Sequence, residues 1–297
     1  MAARALVLCI VSICLIAPAK AADQYSAVTK APVLSAPKPA DQLPAFNISI
    51  DGSVPGELES NVNHVSKNPT ADFSYSPYLK LSALTDLRPN LTYQIYADTS
   101  INRYLQYFNN NGSSAGVGTQ LTKKWDALQL GAVYGWDQYY SHEFGDFLGT
   151  SNDFGLFLRY AYVGPDASYR IKPNLAVTAR LDEHLVVQRY LYYFKVDFEH
   201  KLVDRWSFIF TPRVRFYDYF GTQSGRHDWV YSASTGLRRS LTEGLNFTTT
   251  VGYETRRSDL SGKNYDDWTI QASLDFSYTI FRSGSNAGSD FLQWYSH

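Results

Sequence analysis

The chain carries only two cysteines, Cys9 and Cys14, and both fall inside an early apolar run that ends at Ile16. Past that run no thiol remains for a disulfide or a thiolate-held metal. Long apolar stretches are missing as well. The run from Ala5 to Ile16 is shorter than the roughly 20 residues a helix needs to cross a bilayer, and no later segment approaches that length. Neither sign of charge dominates: the 27 Lys and Arg residues fall to 25 without Arg4 and Lys20, against 28 Asp and Glu. Such a balance leaves no electrostatic footprint for nucleic acid. No glycine-rich phosphate loop follows an alternating segment, and the histidines at 64, 142, 184, 200, 227 and 297 show no close ligand spacing. The sequence therefore implies no cofactor and no metal.

What is present begins with a leader. Arg4 precedes the apolar run, and Ala17-Pro18-Ala19-Lys20-Ala21 supplies the small residues of a cleavage site, so residues 1–21 read as a signal peptide cut after Ala21. Ile13, too large to precede a lipid-modified cysteine, argues against lipidation at Cys14. Residues 22–45 are rich in Ala, Pro and Ser and lack any hydrophobic period, which reads as a flexible tether.

From Phe46 onward the dominant signal is alternation at period two, which in a strand sends successive side chains to opposite faces. Between Trp268 and Ile280 every even position is apolar or aromatic and every odd one polar. Similar faces are formed by Phe73, Leu79 and Leu81, by Leu91, Tyr93 and Ile95, by Leu128, Leu130 and Trp136, by Phe208, Phe210 and Val214, and by Leu245, Phe247 and Val251. A soluble β-sandwich would alternate too, but its strands usually run to about five or six residues. These segments exceed the roughly 9 to 11 residues with which a tilted strand crosses an outer membrane.

The connections fall into two kinds. Short polar turns are expected at residues 87–90, 123–126, 172–174 (Lys172-Pro173-Asn174), 203–205 and 242–244, and longer loops at 108–114, 141–153, 221–228 and 259–266. With an opening strand from Phe46, interrupted by Pro55-Gly56, and a weak one at Gly116 to Leu121, the count comes to about twelve, with ten and fourteen as the neighbouring even numbers. The fold class is an all-β, antiparallel transmembrane β-barrel over residues 46–281. Trp125 and Trp206 adjoin the short turns, whereas Trp136, Trp229 and Trp268 adjoin the longer loops, an aromatic girdle at two headgroup levels.

Leader, Pro-rich tether, alternating strands and the terminal Leu274-Asp275-Phe276-Ser277-Tyr278-Thr279-Ile280-Phe281 resemble the porin-like outer-membrane proteins of Gram-negative bacteria. The resemblance implies an outer-membrane location with both termini periplasmic. It implies outer-membrane lipids and the barrel insertion machinery as partners, with small polar solutes as cargo. One departure stands out: such barrels usually finish on an aromatic residue, whereas this chain continues as a tail over 282–297, leaving Phe281 or Tyr278 as an internal counterpart.

The candidate chemistry lies at the inward parity, where Arg180, Lys195, Asp197, Glu199, Arg213, Arg215, Arg238, Glu254, Arg256 and Asp275 fall. Charges beside a narrow path act strongly, because the low-dielectric wall focuses their field. Three functions follow in order: a channel for small hydrophilic solutes, a structural or adhesive barrel whose charge ladder plugs the lumen, and a rim hydrolase. The hydrolase rests on Asp182 and His184, whose spacing resembles the Asp-x-His pair of omptin-type proteases, though no companion acid pair is found. Ser141 and His142 are adjacent and so face opposite ways on a strand, which argues against a nucleophile and base pair. The leader reading is open to a direct check: mass spectrometry of the protein from the outer-membrane fraction should find its N-terminus at or close to Ala22, and cytoplasmic protein retaining Met1 would refute it.

Overall fold

A computed structural model of the chain describes residues 46–65, 68–142, 144–165, 167–182 and 188–283. The leader, the tether and the end of the tail lie outside the described residues, as do Glu183 and His184. The strands are β1 (Phe46–Glu59), β2 (Asp72–Tyr75), β3 (Tyr78–Arg88), β4 (Leu91–Tyr104), β5 (Gly112–Trp125), β6 (Leu128–Ser141), β7 (Phe147–Tyr160), β8 (Tyr162–Val163), β9 (Tyr169–Asp182), β10 (Gln188–Val203), β11 (Trp206–Phe220), β12 (His227–Thr242), β13 (Leu245–Ser258) and β14 (Tyr265–Ser283).

Each strand pairs antiparallel with its neighbours, and the sheet closes on itself because β14 pairs with β1 along their whole common length, from Phe46 opposite Ser283 to Glu59 opposite Thr269. The fourteen segments make twelve barrel strands. β2 and β3 are halves of one strand, since both lie between β1 and β4. Pro77 divides them because it has no N–H to give to a ladder. The gap is bridged all the same: Ser76 N–H donates to the Pro55 carbonyl at 3.0 Å, and the Pro77 carbonyl accepts from Ile101 N–H at 3.0 Å. β8 is a two-residue flap on β9.

The turns explain themselves chemically. Asn90, Asp126 and Asp204 hold left-handed φ values of 64°, 45° and 42° in the tight links between β3 and β4, β5 and β6, and β10 and β11. A two-residue hairpin demands such values, and Asn and Asp tolerate them better than other side chains.

Four expectations need correction. Lys172-Pro173-Asn174 is no turn but part of β9, and the chain reverses instead at residues 161–168. Pro173 is tolerated there because it sits where β9 leaves one neighbour for another: pairing with β7 ends at Asn174 and pairing with β8 begins at Ile171. The expected loop at 141–153 is mostly strand, with β7 starting at Phe147. Gly116 to Leu121 is the centre of a full strand, and Pro55-Gly56 does not interrupt β1.

The two faces separate cleanly. Leu156, Ile270, Ile95, Val117 and Leu175 are all more than half solvent-facing or close to it, a waste of apolar area in water but a match to lipid. Adjacent Phe210 and Thr211 on β11 share a depth and face opposite ways, the former outward and the latter toward Asp197. Phe210→Arg should therefore cost about 2 to 4 kcal/mol of barrel stability near the midplane, and Thr211→Arg should be milder. Denaturant unfolding of the refolded barrel measures both, and the reverse order would invert the assignment of faces.

Candidate functional site

Parity carries the ten charged residues singled out above to the side of the sheet opposite the exposed apolar residues, and the structure joins most of them into pairs. Arg180 on β9 makes a two-pronged bond to Asp153 on β7, Nε to Oδ1 at 2.9 Å and Nη2 to Oδ2 at 2.7 Å. Lys195 Nζ lies 2.9 Å from Asp197, and Arg238 Nη1 donates to Glu199 at 3.2 Å. Arg215 is bonded to Glu254, whose other oxygen accepts the Tyr265 hydroxyl at 2.6 Å. Arg256 bonds Asp228 and donates to the Tyr219 hydroxyl at 3.0 Å. Asp275 accepts from three hydroxyls, those of Ser53, Thr248 and Ser273. Lys195 and Arg213 are direct register partners across β10 and β11, with the Arg213 guanidinium 6.0 Å from the Tyr193 ring centre.

These groups form two tiers. Toward the short turns the charges meet water: the Asp197 side chain is 41% exposed, Arg238 30% and Glu199 20%. Toward the longer loops they are dry, with Arg215 at 2% and Asp228 at 0%. Asp228 anchors the dry tier by holding two guanidiniums at once, Arg226 in a two-pronged grip at 3.2 and 2.7 Å and Arg256 beside it. Charges stripped of water are costly unless each finds an opposite partner and hydrogen bonds, and here Asp153 and Asp228 have both. Rings pack among them: Arg226 lies over Tyr219 at 4.3 Å, Arg189 over Tyr217 at 4.8 Å, and Tyr217, Tyr219 and Val230 form a small buried cluster.

Glycine creates the room for the remaining inward rings. A Cβ on Gly118 would stand 2.3 Å from the Tyr96 ring, and one on Gly131 2.1 Å from the Phe157 ring, so these strand positions are bare where a neighbouring ring crosses them.

Sequence reasoning missed Asp153, Arg226 and Asp228, which sit at the ends of segments expected to be loops. Asp153 was detectable in principle, because it keeps the inward parity opposite Phe154, Leu156 and Leu158. Of the hydrolase candidates, Asp182 is buried at the end of β9 and His184 lies outside the described residues. Ser141 serves a turn: its Oγ accepts from Asp146 N–H at 3.0 Å and its carbonyl from Gly145 N–H at 2.9 Å. Trp125 ends β5 and Trp206 begins β11, where Arg239 lies 5.4 Å over its ring. Trp136, Trp229 and Trp268 lie in the loop-side halves of β6, β12 and β14, with Trp229 packed on Phe216 and Tyr231 and Trp268 on Tyr253.

No family model matches the chain, and no curated protein matches it. Solved structures do match, and they are outer-membrane β-barrels. The translocator domain of the autotransporter NalP from Neisseria meningitidis is 11% identical with a TM-score of 0.48, over 88% of this chain and 97% of that one. An outer-membrane channel from Pseudomonas putida F1 is 10% identical with a TM-score of 0.49, over 84% and 98%. An anion-selective porin from Comamonas acidovorans is 7% identical with a TM-score of 0.40, over 78% and 100%. At such identities no residue role passes from them to this chain, which is itself a closed, antiparallel barrel of twelve strands.

Proposed function

We propose that the chain is an outer-membrane channel for passive diffusion of small hydrophilic solutes. The observation that carries this reading is the water-exposed charged tier of Asp197, Glu199 and Arg238 inside a ring whose outer surface is apolar. A wall of low dielectric around such charges focuses their field on anything that passes, and the ion pairs temper it toward modest selectivity. The strand ends carrying Phe46 and Ser283 lie with the short turns, the end that faces the periplasm in bacterial barrels, which supports periplasmic termini. On this reading the dry tier of Arg180, Asp153, Arg215 and Asp228 is the constriction.

That dry tier also favours a second reading, a structural or adhesive barrel whose lumen it seals. No catalytic role is assigned, since Asp182 is buried and Ser141 is engaged in a turn. Conductance separates the two readings. The refolded wild-type barrel in a planar bilayer should pass current, and replacing Lys195 and Arg213 together by Gln should move the reversal potential toward cations. The shift should fade as salt shortens the screening length to about 3 Å near 1 M. A folded, inserted barrel that passes no current would make the lumen a plug, and unchanged selectivity at low salt would remove these two residues from the path.

A further inference from the structure

Toward the longer loops, one register row of the barrel gathers three aspartates on the lumen side. Asp98 on β4 lies opposite Gly116, Gly116 opposite Asp137 on β6, Asp137 opposite Ser151, and Ser151 opposite Asp182 on β9. Gly116 has no side chain to keep the first two apart. A Cβ there would stand 2.1 Å from Asp137 Oδ1 and 3.2 Å from Asp98 Oδ1, so both carboxylates reach over the same bare stretch of backbone. The geometry points to a site for a hard divalent cation, Ca²⁺ or Mg²⁺, held by Asp98 and Asp137 over Gly116, with Asp182 adding its charge from the same row.

Three observations carry it. The first is negative charge left unanswered. Asp137 and Asp182 are 8% and 7% exposed, yet Asp137 Oδ2 and both oxygens of Asp182 have no hydrogen-bond partner among the described residues. A carboxylate stripped of water is costly in that condition, and the buried Asp153 and Asp228 escape it only through arginine. Second, the cations nearby make their visible contacts with other groups. Arg180 gives Nε and Nη2 to Asp153, Arg189 lies over the Tyr217 ring, and Lys80, opposite Asp98 in register, holds its Nζ 4.4 Å over the Tyr96 ring. None of them bonds Asp182 or Asp137 Oδ2. Third, the donors are all oxygen. The Tyr78 hydroxyl, on the strand beside Asp98, is a further buried oxygen without a partner, and Asp98 itself is only half-buried, which lets water complete the shell. Carboxylates, a hydroxyl and water suit Ca²⁺ and Mg²⁺, whereas softer ions favour imidazole or thiolate. A bound ion would replace repulsion between neighbouring carboxylates by a shared bond and tie β4 to β6 across the glycine between them.

The test uses the full mature chain refolded in detergent and stripped with a chelator. It reads binding directly, so it stands whether or not the lumen conducts. Isothermal titration with Ca²⁺ should show one site per barrel, with Mg²⁺ competing. Tb³⁺, a luminescent substitute for Ca²⁺, should give emission sensitised by Tyr96 and Tyr139, each two residues from a ligand, and Ca²⁺ should quench it. Asp98→Asn and Asp137→Asn should each weaken Ca²⁺ binding by more than about tenfold and abolish the emission. Glu243→Gln, in the exposed turn between β12 and β13, should change neither. Each Asn variant removes a repelling charge, so in chelator it should unfold no earlier than the wild type on heating, and added Ca²⁺ should raise the midpoint of the wild type alone. A wild type that binds neither Ca²⁺ nor Tb³⁺ would mean that the carboxylates hold a proton between them, and binding retained in both variants would put the ion elsewhere. Either result overturns the assignment.

Discussion

The constraint on which the structure depends is that strand N–H and C=O groups facing lipid have no water to turn to. Each must be met by another strand, and a sheet meets all of them only by closing on itself. The seam between β1 and β14 is where that condition is satisfied, and its ladder runs the full length of β1 with a single irregularity after Ile48. Even the interruption at Pro77 obeys the rule, because the flanking Ser76 N–H and Pro77 carbonyl both find partners on the adjoining strands. Closure then divides the side chains with no further choice: one parity meets lipid, the other meets its own kind inside.

Inside, the consequence is a chemistry of mutual satisfaction. Twelve strands enclose a small interior, and glycine at 118 and 131 is needed merely to seat Tyr96 and Phe157. Charges crowded into such a space must answer one another, as Arg180 answers Asp153 and as Asp228 answers two arginines. Near the short turns the packing loosens enough for Asp197 and Arg238 to stay wet. The same side chains thus serve as internal glue at one end and as a solvated charge lining at the other.

Much of the fold was legible in the sequence because a period of two is a direct record of which face each residue sees. The closed twelve-strand barrel and the positions of most tight turns follow from it. Where reading failed, the local chemistry pointed one way and tertiary pairing another. Lys172-Pro173-Asn174 has the composition of a turn, yet Pro173 falls at the handover from β7 to β8, where a missing N–H costs nothing. Gly116 and Gly118 weaken a strand taken alone, but Asp137 and Tyr96 from the neighbouring strands occupy the space over them. The pairing of β1 with β14 left no trace in spacing, since its members come from the two ends of the barrel sequence and meet only when the ring is shut.

That last circumstance bears on how the molecule is made. The ladder between β1 and β14 joins residues separated by nearly the whole of the described chain, so it is the most non-local contact in the fold and the one with the largest loop to close. Every hairpin between them can form from near neighbours, whereas the first strand has to wait for the last. Until it arrives, the sheet carries two open edges with unpaired backbone groups, a state that invites pairing with other chains. The barrel is in this sense a gauge of its own completeness: a chain that lacks its last strand has assembled most of its hydrogen bonds and still cannot become a closed object.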